Sequence, residues 1–138
     1  MSDRRVPAAL RRQVRERARG CCEYWLLSEE DAWFSHEPDH VIAAKHGGET
    51  IFENLAWACF DCNRSKGSDI ASRDPVTKVV IPLFDPRIDR WNEHFDIERG
   101  SILPVTAVGR VTERILRLNL PDRIEVRKTL ARINRYPG

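Results

Sequence analysis

Apolar residues recur every four positions near the start of the chain, at Val6, Leu10, Val14 and Ala18, until Gly20 interrupts the run. That spacing is the stripe of a helix, and Pro7 suits its first turn. From Cys21 to about Asp69 the pattern breaks into shorter pieces. It predicts a strand near Pro38 to Ala43, a turn at Gly47-Gly48, a second strand near Leu55 to Ala58, and a knuckle at Cys59 to Cys62 leading into a short helix. After Asp74-Pro75 the texture changes again, with Lys78 to Phe84 reading as a strand and Asp96 to Val105 as a hairpin around Arg99-Gly100. Two helices follow. One runs from about Gly109 to Leu118 with Val111, Ile115 and Leu118 on one side. The other, beyond Asn119-Leu120-Pro121, carries Ile124, Val126, Leu130 and Ile133. The predicted class is α+β, without internal repeats.

A length of 138 residues suits one domain with a modest core. Hydrophobic residues at 41% and charged residues at 32% exclude a disordered chain, and no apolar run is long enough for a membrane span. Met1 leads into Ser-Asp-Arg-Arg rather than an apolar leader, so the expected location is cytoplasmic, with the four cysteines reduced. Nothing in the pattern sets an oligomeric state.

Net charge is only +2, yet the charges are segregated. Residues 1–20 hold seven arginines, at 4, 5, 11, 12, 15, 17 and 19, against Asp3 and Glu16, whereas residues 21–40 hold six carboxylates and no lysine or arginine. Only four of the 23 basic residues are lysines. Guanidinium groups grip phosphate oxygens in pairs, so Arg11, Arg12 and Arg15 are candidates for contact with a nucleic-acid backbone. A solvated helix face would have the same composition.

The informative stretch is Pro38-Asp39-His40-Val41-Ile42, His46-Gly47-Gly48, Glu53-Asn54-Leu55 and Cys59-Phe60-Asp61-Cys62-Asn63-Arg64-Ser65-Lys66-Gly67. Hydrolysing a phosphodiester requires a water that loses its proton as it attacks, neutralisation of the charge that builds on phosphorus, and stabilisation of the leaving oxygen. An imidazole titrating near ~6.5 suits the first task, and a hard divalent cation held by oxygen suits the other two. Asp39 and His40 offer both roles in adjacent positions. They can reach one phosphate only if the strand bends or ends there, because neighbours on a strand face opposite ways. Asn63, at the start of the short helix, is the candidate second oxygen ligand, and Asn54 suits hydrogen bonds to the backbone that positions His40. Arg64 and Lys66 are candidates for phosphate contact, with solvated surface as the alternative. His36 and His46 fall outside this set.

These motifs in this order resemble the HNH endonucleases, whose defining residues match His40, Asn54 and Asn63. Fourteen positions separate the first pair and nine the second, similar to the HNH domain of RNA-guided CRISPR nucleases. The likeness extends to small stand-alone bacterial HNH proteins with Arg-rich starts and segments like Leu83-Phe84-Asp85-Pro86-Arg87 and Asp89-Arg90-Trp91. It implies a ββα-metal (His-Me finger) core over residues 21–72, preceded by the Arg-rich helix of residues 1–20 and followed by a strand and helix extension over 73–138. It also implies a metal-dependent DNA endonuclease. On that resemblance His40 would be the general base, Asp39 and Asn63 would hold Mg²⁺, Mn²⁺ or a similar cation, and the products would be a 5′-phosphate and a 3′-hydroxyl.

Many such relatives carry two Cys-x-x-Cys pairs around a structural zinc. Here Cys59 and Cys62 form the second pair, but the first reads Cys22-Glu23-Tyr24-Trp25. Two outcomes compete: Cys22, Cys59 and Cys62 keep zinc with His36, Cys21 or an acidic oxygen as fourth ligand, or the zinc is gone and Trp25 fills its volume. The functional alternatives are a non-catalytic DNA-binding module on the same scaffold and an RNA-directed nuclease toxin.

Overall fold

A computed structural model describes residues 6–138, so Arg4 and Arg5 of the basic run lie outside the described residues. The first helix, α1 (Ala8–Arg17), begins after Pro7 and ends where Arg19 and Gly20 both take positive φ. Its stripe of Val6, Leu10, Val14 and Ala18 packs on Leu55 and Trp57, with Phe52 alongside. The strand they cover is β2 (Leu55–Ala58), buried at every position and antiparallel to β1 (Glu37–His40), with His40 opposite Leu55. Helix α2 (Phe60–Lys66) follows directly. Its N-terminus is capped by the Cys59 sulfur, which accepts from the Cys62 N–H at 3.3 Å.

The expected strand to Ala43 stops at His40, because beyond it the pairing passes to Asn54 alone, at Val41 through its main-chain carbonyl and at Ile42 through its side chain. Val41 N–H donates to the Asn54 carbonyl at 2.9 Å and Ile42 N–H to Asn54 Oδ1 at 3.0 Å. Asn54 Nδ2 in turn donates to the carbonyls of Ile42 at 3.0 Å and Glu49 at 2.8 Å. Gly48 makes this closure sterically feasible, since a Cβ there would lie 1.6 Å from the Ile42 carbonyl oxygen.

Beyond the core segment lie β3 (Ala71–Arg73) paired with β4 (Val80–Pro82), then α3 (Trp91–His94), the hairpin of β5 (Phe95–Glu98) and β6 (Ser101–Pro104), and helices α4 (Ala107–Leu116) and α5 (Pro121–Arg132). The strand expected over Lys78 to Phe84 is confined to Val80–Pro82, because Lys78 takes a positive φ and Phe84 N–H leaves the sheet to donate to Thr112 Oγ1 at 2.8 Å. The hairpin turns at Arg99-Gly100 as the sequence suggests, both at positive φ. Overall the described residues form a mixed α and β structure of small two-stranded sheets and helices. None of its helices is long and apolar enough to cross a membrane.

The main core joins Cys22, Tyr24, Trp25, Cys59 and Cys62 to Phe84, Phe95, Ile102, Leu116 and Leu118, so the extension and the central segment share one apolar interior. Helix α5 corrects the apolar face read from its sequence. Val126 is 40% and Ile133 61% exposed, while Arg123 and Arg127 are buried one turn apart. Arg123 donates to the Leu116 carbonyl at 2.8 Å, and Arg127 to those of Leu118 at 2.7 Å and Gly100 at 2.5 Å. These arginines satisfy carbonyls left open where α4 ends, at Leu116 and Leu118, and one in the β5–β6 turn, at Gly100. Burial pulls the Arg127 guanidinium down to about 10, which still leaves it charged at neutral pH.

At the other end of α4, Arg110 grips Asp74 with two hydrogen bonds of 2.8 and 3.0 Å, and Asp74 also accepts from Thr77. The guanidinium, backed by Thr77, holds the Asp74 carboxyl well below the ordinary carboxylate range. The stabilisation is therefore present above the unfolded value of about 3.9 and is lost as pH falls through the depressed folded value. Asp74→Asn is expected to lower the melting temperature near neutrality and to flatten its fall between pH 5 and 2 (roughly the window set by that shift), measured by thermal unfolding across that range.

Candidate active site and thiol cluster

Where β1 ends, Asp39 is fully buried. One carboxylate oxygen, Oδ2, accepts from the Tyr24 hydroxyl at 2.9 Å and lies 3.2 Å from the Lys66 ammonium. The same ammonium donates to the His40 carbonyl at 3.0 Å, so one lysine ties α2 to two consecutive residues of β1. The other oxygen, Oδ1, is buried with no hydrogen-bond partner. Burial pushes the Asp39 carboxyl above its ordinary range, while Lys66 and Tyr24 pull it part of the way back.

His40 is 4% exposed, and its Nε2 shares a hydrogen bond of 2.8 Å with the hydroxyl of Thr50, an exposed residue. Asn54 holds the backbone immediately after it, as described above. Asn63 is half-buried on α2, three residues before Lys66, so the two side chains share the helix face turned to β1. Oxygen donors of the type a hard divalent cation takes are thus present: a buried carboxylate oxygen without a partner, and an amide carbonyl carried on the same helix face as Lys66.

Cys22, Cys59 and Cys62 form a buried cluster whose sulfurs all lie within 4.8 Å of one another. The neighbour that completes it is Trp25, whose indole N–H donates to the Cys59 sulfur at 2.8 Å. His36 Nε2 instead meets the Leu27 carbonyl at 2.9 Å, and the Cys21 thiol points to the Arg19 carbonyl at 3.8 Å. Neither joins the cluster, nor does any carboxylate among the described residues. An indole N–H cannot ligate a metal, so three thiols do not complete a closed four-ligand zinc site. Burial pushes the Cys22 and Cys62 thiols up. At Cys59 burial acts the same way, but hydrogen bonds from the other two thiols, the Cys62 N–H and Trp25 outweigh it and pull the thiol well below its ordinary range. The guanidinium groups of Arg123 and Arg127 lie 5.3 and 4.9 Å from the Trp25 ring, and Arg123 also reaches the Cys62 sulfur at 4.0 Å.

Residues 22–69 match the HNH endonuclease family. The chain carries an HNH domain. No curated protein and no solved structure matches it. The matched stretch begins at Cys22 and ends just after α2, so it takes in Asp39, His40, Asn54, Asn63 and all three clustered cysteines. HNH enzymes are nucleases that use divalent metals.

The basic residues around the HNH domain are largely engaged within the protein. Arg11 stacks over Trp57 at 5.1 Å and donates to the His36 carbonyl at 3.3 Å, and Arg15 pairs with Glu29 through a 2.7 Å hydrogen bond. Arg12 is exposed. Arg64 is exposed too, with its guanidinium 5.1 Å from the Phe60 ring. Lys66, expected at the surface against phosphate, is instead 2% exposed and held by Asp39. Its reach explains the difference: a helix of seven residues lying against β1 leaves its last turn over the strand end. Tyr24 and Thr50 contact the two central side chains of the HNH domain, and no motif marks either. Only the i, i+3 spacing of Asn63 and Lys66 carried a signal for the lysine.

The reading of the cluster is testable by restoring the missing ligand. Trp25→Cys is expected to yield about one zinc per chain after purification with zinc supplied, against a clearly substoichiometric content in the wild type, by mass-spectrometric metal analysis. A wild-type protein that retains a full equivalent would contradict the three-thiol account.

Proposed function

We propose that the chain is a divalent-cation-dependent DNA endonuclease whose β1, β2 and α2 form a ββα-metal core. The observation that carries this reading is the buried, unpartnered Oδ1 of Asp39 at a strand end, adjacent in sequence to His40 and faced by the helix that bears Asn63. Asp39 and Asn63 would hold the cation, which when bound supplies charge neutralisation at the scissile phosphate and the leaving oxygen.

The remaining chemistry belongs to the protein's own groups. His40 accepts the proton of the attacking water at Nε2, and the Thr50 hydroxyl at 2.8 Å marks the distance and direction from which an O–H meets that nitrogen. Because Thr50 is exposed, exchange of its hydroxyl for water is open from the solvent side. As the water oxygen bonds to phosphorus, the bond to the 3′ oxygen breaks, leaving a 5′-phosphate and, after protonation, a 3′-hydroxyl. Asn54 fixes the backbone that follows His40 through four hydrogen bonds, two of them to Ile42, and so limits the positions the ring can take. Lys66 acts through Asp39, neutralising and orienting the carboxylate. Arg12 and Arg64, the exposed members of the basic set that take part in no ion pair among the described residues, are the phosphate contacts of this reading, and Arg11 and Arg15 contribute charge from positions already hydrogen-bonded.

One observation favours a second reading, a nucleic-acid-binding module without catalysis: Lys66 already supplies Asp39 with a cation. Supercoiled plasmid separates the two. Incubated with Mg²⁺ or Mn²⁺, the wild type is expected to nick it, chelator to abolish nicking, and His40→Ala to slow it by about 100-fold or more. Retardation of the plasmid in a gel without nicking would support the binding module, and faster cleavage of RNA in the same buffer would redirect the reading to an RNA nuclease.

A further inference from the structure

One surface feature is untouched by the chemistry above. Trp33 is 98% exposed and its neighbour Phe34 61% exposed, in the segment that leads into β1. Tryptophan and phenylalanine bring large apolar area, and side by side in solvent they signal a contact surface rather than a core. Phe34 is not isolated. Its ring lies 4.6 Å from that of Phe60 at 33°, and the Arg64 guanidinium lies 5.1 Å from the Phe60 ring, so Phe34, Phe60 and Arg64 make a short column of planar groups, and the exposed Trp33 precedes Phe34 in the chain.

Arg64 also belongs to a groove of about 520 Å³ between α2 and α4, lined by Ser65, Asp69, Arg114, Ile115 and Arg117 besides itself. Three guanidinium groups therefore face one carboxylate. Among the described residues none of the three takes part in an ion pair, in contrast to Arg110 one turn earlier on α4, which Asp74 consumes. Arg117 caps the C-terminus of α4, where the helix dipole favours positive charge. Arg114 and Arg117 lie outside the matched HNH segment, so the groove is built jointly by that segment and the extension.

We propose that Trp33, Phe34 and Phe60 with Arg64, Arg114 and Arg117 form a binding surface for unpaired DNA, the aromatic rings taking base faces and the arginine groove taking the phosphates. The proposal rests on the nuclease reading for its nucleic acid, and narrows the substrate class to DNA with a single-stranded segment, such as a flap or gap. In a duplex the base faces are stacked on one another and closed to a side chain, whereas a single strand offers both a π-face and a phosphate at each nucleotide. The charge of the groove selects an anionic strand over an apolar protein partner.

The test is done in chelator, where binding is read without cleavage. A fluorescein-labelled oligo-dT of about 16 nucleotides and a duplex of equal length are titrated with protein and followed by anisotropy at several salt concentrations. The single strand is expected to bind at least about tenfold more tightly than the duplex. Trp33→Ala should weaken it about tenfold, and Trp33→Tyr, which keeps a stacking ring, should restore most of the loss. Arg114→Ala with Arg117→Ala should weaken both ligands and reduce the salt slope on the single strand by about 1.4. These positions are exposed, so circular dichroism should match the wild type. Equal affinity for the two ligands, an unchanged Trp33→Ala, tighter binding of oligo-U than oligo-dT, or a Trp33-dependent dimer in sedimentation would each overturn the proposal. Failure here leaves plasmid nicking intact, and loss of nicking leaves chelator binding intact, so the two readings fail separately.

Discussion

The ion pair between Lys66 and Asp39 is the contact on which the site depends. It joins the last turn of a seven-residue helix to the end of a four-residue strand, two elements too short to hold one another by area alone. Burying both charges is costly, and the pair is tolerated because each has a second partner: Tyr24 on the carboxylate, the His40 carbonyl on the ammonium. Removing one member would strand the other in the interior at a cost of about 3–5 kcal/mol. The same contact leaves Asp39 Oδ1 without a partner and brings the helix bearing Asn63 against the strand end. Stability and site geometry thus rest on one lysine.

Arginine has two employments in this chain, which is why its abundance is a poor guide to function. Arg123 and Arg127 are interior donors that close the open carbonyls at the end of α4 and stack on Trp25 beside the thiols. Arg17 donates to the Phe52 carbonyl at 2.7 Å and to that of Leu55, fastening α1 to the strand it covers. What is left for a nucleic acid is a smaller exposed set, and its most coherent part lies on α2 and α4 rather than on the basic first helix.

Strong periodicity was legible. The stripe of Val6, Leu10, Val14 and Ala18 lands where a helix of period 3.6 would put it, and β2 occupies the predicted residues, because both elements bury a whole face. The end of β1 was not legible, since Val41 and Ile42 look like strand and it is the Asn54 side chain that takes both backbone groups of Ile42 out of the ladder. Nor was the buried face of α5: a rule that places arginine outside cannot anticipate a guanidinium matched to carbonyls some residues away in the chain. The motif residues of the site stood out by type and spacing, whereas Tyr24, Thr50 and the inward course of Lys66 depend on tertiary contacts that leave no mark in one sequence. Trp25 was legible as an anomaly, but its 2.8 Å contact to the Cys59 sulfur was not.

The central claim is that Asp39 and Asn63 converge on one divalent ion beside His40. Anomalous diffraction from crystals of the protein soaked in Mn²⁺ tests it without reference to activity. The account predicts a single strong peak bonded to Asp39 Oδ1 and the Asn63 amide oxygen. A peak held by other residues, or none while Lys66 keeps its place on Asp39, would contradict it.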